Sequence, residues 1–218
     1  MGSFDNKVTP LGRQTELAMF LSRGFAMCAL FASLTSAFAA ADEACEAFVF
    51  DAVHIAFNQG DNQSPKDALS SIQSAVESNV DNERLARFTL GRFARTVDES
   101  QLDLYRTALM EYLSAVLFGY LEQAEQVSVE VSKSVDRSAG DCVAETIIRQ
   151  AGEDDQHLLW RVLGEPGRQS IVDVATKQDG NTIWLSLELR AQFADLLDRN
   201  NGQVDVLISE LKSRQPRP

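Results

Sequence analysis

Histidine is nearly missing from this 218-residue chain and cysteine is scarce, with two of the first and three of the second. No Cys/His/Asp grouping has the spacing of a zinc or other transition-metal site, so the sequence supplies no metal and no cofactor. The G-x-S-x-G elbow, the phosphate-binding glycine loop and the dinucleotide fingerprint are all lacking, which removes the common hydrolase, kinase and dehydrogenase readings. Proline is limited to 5 residues, and the 44% hydrophobic and 24% charged composition suggests neither disorder nor a fibrous repeat. Positive charge is also short: 20 Lys and Arg face 32 Asp and Glu, for a net charge of −12. Such a chain repels phosphate backbones and anionic membrane surfaces, so nucleic acid is not an expected partner.

What is present begins with an apolar run. Arg23 precedes the uncharged stretch from Gly24 to Ala41, and Ala37-Phe38-Ala39 gives the small-x-small pattern of a signal-peptidase site. No basic stop-transfer cluster follows. Residues 1–40 are therefore expected to be a secretory signal that is cleaved, which places the mature chain in the periplasm. Met19 alone would begin a signal of normal length, which makes it a candidate true start. Cys28 leaves with that segment; Cys45 and Cys142 remain, in a compartment where they either form one disulfide or stay as two buried thiols.

The remainder, residues 41–213, is long enough for one domain with one core. Apolar residues at Ala44, Phe48, Ala52 and Ile55 have helical spacing. Ser64-Pro65 reads as the cap and first residue of a second helix, and Asp81 opens a third through Ala86, Leu90, Phe93 and Val97. Asp98 opens a fourth, the longest, with Leu102, Tyr105, Leu109, Tyr112, Val116 and Tyr120 on it. At Gln126 the period changes to two: Val127, Val129 and Val131 alternate with Ser128, Glu130 and Ser132. Three further runs, Cys142 to Gln150, Gln156 to Leu163 and Gln169 to Lys177, are joined by turn compositions and imply an antiparallel meander of about four strands. Helical spacing resumes at Leu185, ends at Asn200-Asn201-Gly202, and returns from Val204 to Leu211; residues 214–218 should fray. The order is α+β, a curved antiparallel sheet with helices packed across one face.

Chemistry-bearing residues are few. His54 in an apolar helix and His157 at a strand start read as structural, and Glu153-Asp154-Asp155 as a solvated turn. Asp173 lies inside a strand between Val172 and Val174 and needs a partner, for which a structural arginine is the favoured reading.

Two stretches carry a family resemblance. Residues Val80 to Arg95 (Val-Asp-Asn-Glu-Arg-Leu-Ala-Arg-Phe-Thr-Leu-Gly-Arg-Phe-Ala-Arg), continued by Glu99, Gln101, Tyr105 and Tyr112, resemble the motif region of the MlaC-type periplasmic phospholipid carriers, also called toluene-tolerance proteins. Ile171-Val-Asp-Val174 and Arg190-Ala-Gln-Phe193 resemble that family's late strand and helix motifs. Departures are Gln169 where the family has Trp, Ala94 where it has an aromatic, and a longer segment between Asp173 and Arg190. The resemblance implies a non-enzymatic carrier, an auxiliary component of an ABC transporter. It would shuttle phospholipid between an outer-membrane lipoprotein complex and an inner-membrane ABC transporter complex with an MCE subunit, sustaining outer-membrane lipid asymmetry. A hopanoid or sterol-like cargo stays open. So do a cone-shaped α+β enzyme using Asp173 as base and a plain interaction domain.

For such a carrier the expected lipid contacts are Leu85 and Phe88 on the third helix and Leu109, Tyr112 and Val116 on the fourth. Val127, Val129 and Val131 are expected from the first strand, with Ser132 on the opposite face. Trp160 and Val162 follow from the third strand and Trp184 and Leu189 from the start of the fifth helix. Asp173, Arg92 and Arg190 are expected to be structural.

Overall fold

A computed structural model describes residues 43–55, 64–123, 127–178 and 180–214. The expected signal segment, its cleavage site and the tail beyond Arg214 lie outside the described residues. Three helix starts are fixed by side chains accepting from the orphan N–H groups of the first turn. Ser64 Oγ accepts from the Asp67 N–H at 3.3 Å, the Asp81 carboxylate from Arg84 at 3.0 Å, and the Asp98 carboxylate from Gln101 at 2.8 Å. The helices are α1 (residues 43–55), α2 (Pro65–Asn79), α3 (Asn82–Leu90), α4 (Glu99–Gln123), α5 (Leu185–Arg199) and α6 (Val204–Ser213).

The third helix is shorter than its apolar period suggests. At Gly91 the backbone takes φ 58°, ψ −122°, which ends the α-helix, and Gly91–Arg95 continues as a 3-10 turn. A Cβ at Gly91 would stand 3.1 Å from Nε of Arg190, so the glycine permits both the turn and the close passage of that arginine.

Five antiparallel strands form a simple meander in the order β1 (Ser128–Ser138), β2 (Asp141–Arg149), β3 (Gln156–Leu163), β4 (Ser170–Gln178), β5 (Asn181–Trp184). The alternating runs in the sequence imply about four. The fifth pairs Asn181 through Trp184 with Gln178 through Ala175 immediately before α5. Four residues are too few for a period of two to register beside the helical pattern that begins at Leu185. Register shifts between Val131 and Lys133, between Asp136 and Ser138, and between Arg161 and Val162 are bulges that re-aim neighbouring side chains.

Buried side chains gather in two groups rather than one. The larger is helical: Leu90, Leu102, Tyr105, Leu109, Leu197, Leu207 and Leu211 join α3, α4, α5 and α6. Tyr105 is fully buried within it, with its phenol pKa raised by burial, an effect that the bond to Thr89 only partly opposes. Thr89 Oγ1 lies 2.7 Å from the phenol and 2.8 Å from the Leu85 carbonyl. A hydroxyl has one proton, so when Thr89 donates to that carbonyl, Tyr105 donates to Thr89. The second group sets Cys45, Val49, Ala52 and Val53 of α1 against Cys142, Ala144, Val162 and Ile171 of the sheet. Cys45 and Cys142 are disulfide-bonded, which settles the open choice between a bridge and two thiols and closes a loop across 97 positions.

Candidate functional site

Between the two groups the helix layer and the sheet do not close on each other. The gap is a cavity of about 410 Å³. Val76 and Val80 at the end of α2, Leu85 of α3, Tyr112, Leu113, Val116 and Leu117 of α4, and Leu185 and Leu189 of α5 form one wall. Ile148, Leu158, Trp160, Ile171, Val172 and Val174 of β2, β3 and β4 form the other. Gln156, Asp173 and Thr176 are the polar side chains of the wall beside the ring of Tyr112 and the indole of Trp160. Val116, Leu185, Gln156 and Thr176 are exposed and therefore mark the rim, while Leu85, Ile148, Ile171 and Leu189 are buried and mark the floor.

Local structure explains the placement. On β3, Leu158, Trp160 and Val162 share one face by the period of two, and Trp160 is fixed by its indole N–H donating to Thr146 Oγ1 at 2.9 Å. Val80 bridges Ile171 in parallel and the Asp81 N–H donates to the Ile171 carbonyl at 2.9 Å, which pins the α2–α3 junction to β4 at the cavity floor.

Asp173 stands in the wall, and its partner is not an arginine. Its carboxylate accepts from the Ser186 N–H at 3.1 Å, the Ser186 hydroxyl at 2.5 Å and the Val174 N–H at 2.9 Å. Trp184, at the N-cap of α5, offers no side-chain cap, so a carboxylate from the neighbouring strand does that work. Arg161, opposite Asp173 in the β3–β4 register, is held instead by Asp141 at 2.9 Å. Among the described residues no group of three His, Cys, Asp or Glu could hold a metal ion, and no helix is long and apolar enough to cross a membrane.

The family model for the MlaC protein matches residues 49–213. The chain belongs to the MlaC family. A solved structure, the phospholipid-binding protein from Ralstonia solanacearum in complex with a phospholipid, superposes with a TM-score of 0.64 at 23% identity. The match covers 78% of this chain and 96% of that one. At that identity the likeness shows a shared fold. No curated protein matches the sequence.

Within this MlaC fold, the residues singled out from sequence fall in different places. Leu85, Tyr112, Val116, Trp160 and Leu189 stand on the cavity wall. Phe88 and Trp184 line an adjacent cleft instead, and the Phe88 ring carries the Arg190 guanidinium at 5.1 Å. Leu109 and Val162 are core, one in each buried group. Val129 pairs with Ile148 and Val131 with Thr146, so both lie on the face of the sheet that the cavity uses, yet they pack into the α1 group and do not line it. Val127 is half-buried just before β1 and does not line it either. Arg92 pairs with Asp198 and lies over Phe93.

Ile148, Leu158, Val174, Leu113 and Leu117 were not anticipated. Leu158 shares the parity of Trp160, and Leu113 and Leu117 adjoin Tyr112 and Val116 on the helix surface. Both signals were present in the sequence.

Proposed function

We propose that this chain is a periplasmic carrier that holds a phospholipid by its acyl chains in the cavity between the helices and the sheet, and passes it between membrane-bound complexes. The observation that carries the reading is the cavity itself. Its volume of about 410 Å³ falls in the range of about 300–1,000 Å³ typical of ligand sites, and its walls are almost wholly apolar. Each methylene withdrawn from water there is worth about 0.8 kcal/mol, so an acyl chain would be held firmly without any specific polar contact. Family membership and the phospholipid in the Ralstonia neighbour support lipid as the cargo. The disulfide and the N-terminal apolar run support an oxidising compartment outside the cytoplasm.

A ligand so held escapes slowly into water, so transfer calls for docking that opens the rim onto a partner. An inner-membrane ABC transporter complex with an MCE subunit and an outer-membrane lipoprotein complex are the partners that membership in this family implies. Catalysis finds less support: Asp173, the base candidate in the wall, is engaged by three donors, two of them from Ser186 at the start of α5.

The test is organic extraction of protein purified from the native periplasm, followed by mass spectrometry. Stoichiometric phospholipid is the expected result. Protein recovered empty, and refusing lipid from vesicles, would remove the reading.

A further inference from the structure

Tyr112 belongs to two hollows at once. A smaller cleft of about 200 Å³ lies between α4, α5 and α6, and among the described residues Tyr112 is the one that lines both this cleft and the apolar cavity. The floor of the cleft is apolar: Phe193, Leu207 and Leu211 are buried there and Leu196 is half-buried. Asp195 pairs with Arg199 at 2.5 Å and Glu210 with Arg214 at 2.7 Å, so the charged groups of its rim are committed to one another. What the cleft offers a ligand is hydrocarbon surface.

The Tyr112 side chain extends from one hollow to the other. It stands in the cavity wall, yet its hydroxyl reaches Arg214 at the end of α6, whose pKa is raised first by the Glu210 hydrogen bond and in smaller part by Tyr112. Phe193, beside it in the cleft, is anchored in the core with its ring edge against Tyr105 at 6.3 Å. Tyr112 is only half-buried, and its ring moves as one plate about χ1 and χ2. The cavity, at about 410 Å³, is near the low end of the range for ligand sites, so the place of each wall limits what fits. The cleft would add about half as much room again.

We infer that Tyr112 sets the longest acyl chain this protein holds: its ring is the end wall of the cavity toward α5 and α6, and the cleft behind it is apolar room that the ring withholds from the cargo. The inference rests on the carrier reading and adds to it a selection among lipids by chain length. A chain that ends against the ring gains nothing from further methylenes, whereas each one buried behind it would gain about fourfold in affinity.

The experiment is a competition at constant headgroup. Delipidated protein is incubated with mixed micelles holding equal amounts of dilauroyl, dimyristoyl, dipalmitoyl and distearoyl phosphatidylcholine, and native mass spectrometry counts each bound species. Wild-type occupancy should fall off within this series. Tyr112→Ala should move the fall-off to longer chains, raising the ratio of the longest to the shortest species about tenfold or more, the worth of two further methylenes. Tyr112→Phe keeps the ring and should keep the wild-type fall-off, and Tyr112→Trp should move it to shorter chains. Removing the ring enlarges the cavity by itself, so Tyr112→Ala/Leu196→Trp locates the gained room. Leu196 lines the cleft and not the cavity, and a tryptophan there should restore the wild-type fall-off.

One fall-off shared by the wild type, Tyr112→Ala and Tyr112→Trp, with lipid still bound, would overturn the end wall and leave the carrier standing. A fall-off in the double variant as long as in Tyr112→Ala would show that the chain fills only the space of the lost ring, and would overturn the part given to the cleft. A wild type that binds none of the four lipids would overturn the carrier reading and this inference together. Each readout is a ratio within one sample, so a lower melting temperature in a variant does not imitate it.

Discussion

Asp173 shows how a polar side chain can sit in the wall of an apolar cavity. Burying a carboxylate costs several kcal/mol unless it is paired and hydrogen-bonded, and here the Ser186 N–H and hydroxyl at the start of α5 and the Val174 N–H of β4 meet it. Replacing it with alanine leaves the Ser186 N–H without its acceptor. Asp173→Ala should therefore lower stability by about 1–2 kcal/mol, with Asp173→Asn intermediate, as read by urea denaturation.

Glu145 poses the opposite problem on the other face of β2. Its side chain is 7% exposed, and burial works to raise its pKa, yet hydrogen bonds from Lys177, His157 and Lys133 outweigh that and bring it to about 2. A carboxyl depressed on folding contributes stability that is fully present above its unfolded value of about 4.5 and is lost as pH falls toward 2. The three partners are 39–65% exposed, and solvent screening trims the effect to about 1–2 kcal/mol. Melting temperature should fall between pH 4.5 and 2 in the wild type. Glu145→Gln, less stable at pH 7, should show a flatter decline over that window.

Helix α1 owes its place to the covalent link as much as to packing. It meets the sheet through Cys45, Val49, Ala52 and Val53, and the bridge to Cys142 closes a loop across 97 positions. Loop-closure entropy for such a span is worth about 4–5 kcal/mol. Cys45→Ser should cost most of that, and hydrogen exchange should show α1 opening ahead of the α3–α6 group. A variant with unchanged stability and protection would show that packing alone suffices.

Other elements differ in how far the sequence announced them. The starts of α2, α3 and α4 could be read from Ser64, Asp81 and Asp98, because a cap is a local device. The end of α3 was also written locally, in the positive φ of Gly91, but the unbroken apolar period through Phe93 and Val97 masked it, and the close passage of Arg190 from a helix 99 positions away was not legible. Likewise β5 was hidden, because four residues carry too little pattern. The cavity was legible only in outline: the apolar faces of α4 and β3 were plain, but whether a face meets core or empty space depends on how two layers fit. Leu109 and Tyr112 are one turn apart on α4, and only the second lines the cavity.

That fit is what makes the molecule a container. Two buried groups, one helical and one between α1 and the sheet, hold the layers apart along a line where neither fills the gap, so the lining can accept a ligand without unmaking either core. The consequence can be tested with a charge placed on the rim, where it perturbs folding least. Val116 is 48% exposed and lines the cavity, whereas Leu104 is 56% exposed on the same helix and does not. A glutamate at position 116 would have to face hydrocarbon or draw water into the mouth, at a cost of several kcal/mol to the bound state. At position 104 the same glutamate stays in solvent. Val116→Glu should thus purify folded but largely free of lipid, while Leu104→Glu keeps wild-type occupancy, both measured by native mass spectrometry beside their melting temperatures. Identical chemistry on one helix controls for charge and helix propensity. Equal occupancy in the two variants would mean that acyl chains do not enter past Val116, and loss in Leu104→Glu alone would place the cargo on the opposite side of α4.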